Sequence, residues 1–247
     1  MPLTDYTAEP FTHDGITHDV YHRGTGPCVL VAPEIPGITP TVAAFADEVV
    51  TAGMSVAIAS LFGTPGRPVS TGRSLRVIAR ACVSREFHVL ATRDSSPATE
   101  WLRALARELH DRPDGPGVGF VGMCLTGGFG LAMLLDDTVI APVLSQPSLP
   151  FGVGTARRRS AGLSDTELTA VAEKVRGGCE VLGFRYDLDP LVPADRFETL
   201  RDVLGDNFVA EDIPAESKTQ HSVLTEHLAP DALATTLAFL SRRLGAA

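Results

Sequence analysis

The sequence contains no CxxC pair: its four cysteines, Cys28, Cys82, Cys124 and Cys179, are scattered along 247 residues. That scatter excludes the usual zinc and dithiol redox patterns. A cationic excess is absent too. Asp and Glu outnumber Lys and Arg by 30 to 21, for a formal net charge of −9. Nucleic acid and anionic membrane are thereby excluded as partners, because both need basic patches. The basic run Arg157, Arg158 and Arg159 lies among Gly, Thr and Ser and is expected to be a solvated loop. His13, His18, His22, His88 and His110 lack the spacing of metal ligands. The opening "MPLTDYTAEPFTHDG" has no basic-then-apolar order, so no signal peptide is expected. A cytoplasmic location with free thiols is the corresponding expectation.

A membrane-spanning run is missing as well. From Gly117 to Leu135 no residue is charged, nominally the length of a span. Six of those positions are glycine, however, and each disfavours helix by about 1 kcal/mol. The stretch divides better into a buried strand, 117–122, and a helix over about 125–135. A formal G-x-G-x-x-G from Gly117 to Gly122 is no better as a dinucleotide site. Its glycines fall inside the strand, and a turn, "DRPDGP", precedes them.

What is present reads as one globular domain over 1–247, with 44% apolar residues. Period-two or continuous apolar runs predict strands at "THDVYHR", "CVLVAPE", "MSVAIASL", 117–122, "TVIAPVLS", "CEVLGFRY" and "NFVAEDI". Helices are predicted between them. The first is "TPTVAAFADEVVTAG", with Thr39 as cap, Pro40 in the first turn and Gly53 at the stop. Two amphipathic helices over 74–110 break near Pro97, and Trp101 is expected to pack within the second. Others follow at "SDTELTAVAEKV", "ADRFETLRDVLG" and "PDALATTLAFLSRRL". Such alternation predicts an α/β fold: a mostly parallel central sheet with helices on both faces.

Active residues of such a sheet gather at the carboxyl ends of its strands. Cys124 in "GFVGMCLTGGFG" falls just past one strand and just before a helix, where a nucleophile elbow belongs. There the helix N-terminus favours a thiolate, and the Leu125 amide could hold an oxyanion. The plain alternative is a buried apolar cysteine, as Cys28, Cys82 and Cys179 are read. A thiol nucleophile needs a histidine base oriented by a carboxylate. The loop after "CEVLGF" offers Asp187 and Asp189, and the segment after "NFVAEDI" offers His221 and His227. Nucleophile, acid and histidine thus follow in the chain order of α/β-hydrolases. Glu34, at the end of a buried strand, is costly unless paired or used.

Four motifs in order, "VAPEIPGI", "GMCLTGG", "DPLVPADRF" and "HSVLT", make residues 25 to 245 resemble the dienelactone hydrolase family of α/β-hydrolases. The resemblance implies an ester or lactone hydrolase working through an acyl-thioenzyme, with a small-molecule substrate and no cofactor or metal. It selects Asp189 over Asp187 and His221 over His227, leaving Asp187 as a solvent-facing acid and His227 as a surface or cap residue. It implies a role for Glu34 against the resting thiol, and for the Ile35 amide beside Leu125 as the second oxyanion donor. Three departures stand out. Thr126 replaces the elbow glycine two residues after Cys124. Thr225 replaces an arginine that binds a substrate carboxylate in the best-known members. Residues 151–176 look like an insertion, placed to act as a lid. Arg73, Arg76, Arg80 and Arg85 are candidates to compensate for Thr225. Two other classes remain open: a catalytically silent fold that binds a small molecule or senses redox through Cys124, and a flavin- or nicotinamide-binding protein.

Overall fold

The computed structural model describes residues 3–72, 74, 77, 96–111, 115–149, 152 and 154–246. Eight strands form one sheet: β1 (Thr7–His13), β2 (Ile16–Arg23), β3 (Cys28–Ala32), β4 (Ser55–Ala59), β5 (Val118–Met123), β6 (Val139–Ser145), β7 (Val181–Tyr186) and β8 (Phe208–Ile213). Their spatial order is β1-β2-β4-β3-β5-β6-β7-β8. The pairs from β4 through β8 are parallel, while β1 and β2 add antiparallel at one edge. The α/β architecture is therefore as expected.

β1 is absent from the sequence-based assignment. Most of its residues are exposed on both faces, so it has no apolar alternation to read, and as an edge strand it tolerates Pro10. Its signal lies in the turn. His13 pairs with Ile16, and the two residues between, Asp14 and Gly15, both have positive φ. Asp-Gly in that conformation is a favoured two-residue hairpin turn.

Helices α1 (Pro40–Thr51), α2 (Pro97–His110), α3 (Gly130–Met133), α4 (Thr155–Arg159), α5 (Asp165–Arg176), α6 (Ala194–Leu204) and α7 (Pro230–Leu244) cover the sheet and its ends. Thr39 caps α1 by accepting from Val42 N at 3.2 Å, and Pro40 opens the helix. Side chains alternate along each strand and so divide the core in two. Val29, Val31, Val121 and Met123 pack under α1 and α7. Leu30, Ala32, Val118 and Phe120 pack under α2, α5 and α6. Trp101 of α2 is fully buried there, donating its indole N–H to Ile16 O. Apart from residues 74 and 77, the first helix expected over 74–110 lies outside the described residues, as do Cys82 and His88.

The chain order reverses at β3: α1 leads to β4 on one side, while β5 lies on the other. This is a topological switch point, where an open α/β sheet leaves a crevice beyond its strand ends. Register makes the crevice specific. Ala32 pairs with Gly122, so Glu34 and Cys124 each stand two residues past the same rung.

Candidate active site

The turn after β5 holds Cys124 at φ +57°, a left-handed conformation for a residue with a Cβ. Such a conformation costs about 1–2 kcal/mol, so the surroundings must impose it. Two backbone bonds do so: Cys124 N donates to Ser145 O, and Ser148 N donates to Cys124 O, both at 3.0 Å. Close packing does the rest. A Cβ on Gly122 would lie 2.4 Å from Thr126 O, and one on Gly127 would lie 2.7 Å from Ser145 O. Both positions require glycine. Thr126, the apparent departure, is fully buried and useful. Its hydroxyl accepts from Met123 N at 2.9 Å and donates to Ala32 O at 2.6 Å, joining the turn to β3.

The helix expected over 125–135 is corrected by the structure. A single 3-10 turn, Thr126–Phe129, runs into the four-residue α3. Gly127, Gly128 and Gly130 each disfavour a regular α-helix, and the backbone contacts they permit hold the tighter turn.

Asp189 and His221 come together, Oδ2 to Nδ1 at 2.6 Å. The acid is buried, with only 3% exposed. Its Oδ1 accepts from Leu191 N at 2.9 Å, which fixes the carboxylate plane. Arg185 braces this loop through Val192 O, Asp187 O and the Asp212 carboxylate. Burial works to lower the His221 pKa, but the Asp189 bond and the nearby Cys124 thiol outweigh it and push the value up to about 10. Nε2, the ring atom left after Asp189 takes Nδ1, is buried without a hydrogen-bond partner. Asp187 is exposed and accepts from Ala215 N.

Two residues hold this site in ways the sequence did not suggest. The His227 ring sits inside the histidine loop, its Nδ1 accepting from His221 N and Ser222 N at 3.3 and 3.4 Å. It is a loop anchor rather than a surface group. Ser148, on the loop after β6, puts its hydroxyl 3.3 Å from the Cys124 sulfur. No motif marks either residue. His227 acts within its own loop, and Ser148 acts across two segments, reaching the elbow from the loop after β6.

Glu34 is buried in the crevice, but the structure does not bring its carboxylate into a hydrogen bond with the thiol. Ser222 Oγ donates to Oε2 at 2.7 Å, Gln146 Nε2 to Oε2 at 3.2 Å, and Thr225 Oγ1 to Oε1. These hydroxyl and amide donors account for the buried charge. The next residues form a tight turn: Ile35–Pro36 is cis, and Gly37 N donates to Glu34 O at 2.7 Å. Thr225 faces Glu34, and Arg73, Arg76, Arg80 and Arg85 lie outside the described residues.

Of the stretch 151–176, α5 packs Val171, Ala172 and Val175 into the core as the crossover between β6 and β7. The part carrying α4 is tied to α6 by Arg196, which is fully buried. Its guanidinium donates to Ser160 O, Arg157 O and Pro147 O, the last at 2.7 Å. Burial lowers its pKa to about 10. Arg157, Arg158 and Arg159 themselves are exposed, but they lie on α4 and not on the loop expected. Among the described residues, no group of three His, Cys, Asp or Glu could hold a metal, and no helix is long and apolar enough to cross a membrane.

No protein-family model matches the chain, and no curated protein matches it. Solved structures do. A Klebsiella pneumoniae subsp. pneumoniae protein assigned as a dienelactone hydrolase is 16% identical with a TM-score of 0.61, over 96% of this chain and 98% of its own. A dienelactone hydrolase-like promiscuous phosphotriesterase from metagenomic libraries is 16% identical with a TM-score of 0.62, over 97% and 98%. A cold-adapted esterase from an Arctic intertidal metagenomic library is 15% identical with a TM-score of 0.62, over 96% and 93%. The chain therefore has the single-domain α/β fold of dienelactone hydrolase-like proteins and esterases.

Proposed function

We propose that this protein is a cysteine-dependent hydrolase of an ester or lactone, acting through an acyl-thioenzyme. The observation that carries the proposal is the bond of buried Asp189 to His221, whose free Nε2 lies near a cysteine held on a left-handed turn. The likeness in fold to esterases supports the reaction class.

In the first half-reaction Cys124, its proton already held on His221 Nε2, attacks the substrate carbonyl carbon as the thiolate. A C–S bond forms, and the carbonyl electron pair moves onto oxygen. The amides of Ile35 and Leu125 receive that oxyanion. Collapse re-forms the carbonyl and breaks the bond to the leaving oxygen, which takes the proton from His221. In the second half, neutral His221 takes a proton from water as its oxygen attacks the thioester. Cys124 leaves as thiolate, and the acid is released. Asp189 keeps the imidazole in the right tautomer and supports its charge. Glu34 acts through Ser222, steadying the loop that carries His221.

The occupied Thr225 hydroxyl leaves no charged fork for a substrate carboxylate, which an arginine would bind directionally. Neutral esters and lactones are the substrates expected. The test is a panel of activated neutral esters and a carboxylate-bearing lactone, run on the wild type and on Cys124→Ala. Turnover should disappear in the variant, and kcat/KM should favour the neutral compounds. Turnover that survives Cys124→Ala would overturn the mechanism, while a preference for the anionic lactone would overturn the substrate class alone.

A further inference from the structure

We propose that Ser148 is a further catalytic residue, its hydroxyl donating a hydrogen bond to the Cys124 sulfur and favouring the thiolate. The inference rests on the assignment of Cys124 as nucleophile. Its starting point is the 3.3 Å separation between Ser148 Oγ and Cys124 Sγ. Ser148 is only 2% exposed, so bulk water does not compete for the hydroxyl.

The hydroxyl is positioned before any substrate arrives. Ser148 N donates to Cys124 O, and Cys124 N donates back to Ser145 O, so the elbow and the 145–148 loop clamp each other. The buried Arg196 holds Pro147 O from behind at 2.7 Å. Gln146, at φ +34°, donates its backbone N–H to Phe184 O and its side-chain amide to Glu34. Leu149 closes the far end against Gly128, where a Cβ would lie 2.9 Å from the leucine Cβ. Every residue from Ser145 to Leu149 is thus tied to something other than Ser148.

Charge decides what this contact does. A carboxylate beside the sulfur would repel a thiolate and keep the resting thiol neutral. Glu34 is engaged elsewhere, by Ser222, Thr225 and Gln146. The hydrogen-bond partner at the sulfur is a neutral hydroxyl, and a donor hydrogen bond to a charged acceptor favours the charged form. His221, which holds its proton strongly, is the counter-ion on the other side. Cys124 should therefore be reactive without a substrate analogue.

The test measures the iodoacetamide alkylation rate of Cys124 against pH, read by peptide mapping, in the wild type, Ser148→Ala, Ser148→Val and Ser148→Thr. Melting curves confirm that each is folded. Threonine keeps the hydroxyl, and valine has the same shape without it. The pH midpoint of alkylation should rise by roughly one unit in the alanine and valine variants, equivalent to about tenfold less thiolate below the midpoint. The threonine variant should stay at the wild-type midpoint, and kcat should fall with KM little changed where the hydroxyl is lost. A midpoint that is unchanged or lower in folded Ser148→Ala or Ser148→Val overturns the proposal, as does an equal rise in Ser148→Thr. Alkylation needs no turnover, so a failed ester assay would count against the proposed function without touching this result.

Discussion

Two acids stand two residues apart on the loop after β7, and only Asp189 meets a histidine. Its side chain turns inward to His221, while Asp187 stays exposed and caps the backbone at Ala215. Asp189→Asn should lower kcat/KM by roughly 10³–10⁴-fold, through loss of tautomer control and of imidazolium support. Asp187→Asn should change it by less than about threefold, a surface effect of under 1 kcal/mol. Equal losses in the two variants would show that the wrong acid has been assigned. The resemblance carried by "DPLVP" already implies Asp189, and two residues of the motif have a visible local task. Leu191 N holds the carboxylate, and Pro193 stands just before α6. The partners of Glu34 were not legible in the same way. Ser222, Thr225 and Gln146 lie more than a hundred residues away in sequence, and nothing local requires them.

At the scale of elements, the elbow is a joint between β5, β3 and the loop after β6, not a strand with a helix attached. Strand and turn were readable from the glycine-rich run. The broken helix was not, because its geometry answers to carbonyls of another strand. Gly127 tests this joint directly. Alanine there would place its Cβ 2.7 Å from Ser145 O, a backbone atom that cannot swing away. Gly127→Ala should destabilise the fold by about 1–3 kcal/mol, the usual cost of overpacking, and should cut activity by displacing Cys124. Urea unfolding and ester turnover together measure this. A variant with native stability and activity would show that the elbow is looser than its contacts suggest.

Across the whole molecule, the sheet order gathers residues from beyond the ends of β3, β5, β6, β7 and β8, and a proton is part of what the fold retains. His221 in the fold holds its proton up to about pH 10, against about 6.5 in an unfolded chain. The fold therefore binds that proton more tightly than the unfolded chain does. The resulting stabilisation is complete below about pH 6.5 and is lost as pH rises through about 10. Asp189→Asn removes the largest contribution that raises the value. The Tm gap between wild type and this variant should be widest near pH 6 and should narrow towards pH 10. A gap constant over that range would mean that the pair contributes no proton-linked stability.

Local periodicity and turn chemistry were enough to determine the α/β class, the parallel strands, the capped α1 and the placing of Cys124, Asp189 and His221 after β5, β7 and β8. Each depends on residues a few positions apart, where strand alternation, helix caps and strand-end loops are encoded. The interrupted helix after Cys124, the His227 anchor and the engagement of Glu34 by Ser222, Thr225 and Gln146 were decided only in three dimensions. Their cause is packing at the switch point. There, backbone carbonyls, hydroxyls and one buried carboxylate from β3, β5, β6 and the His221 loop had to satisfy one another, and no single segment carries the pattern of that solution.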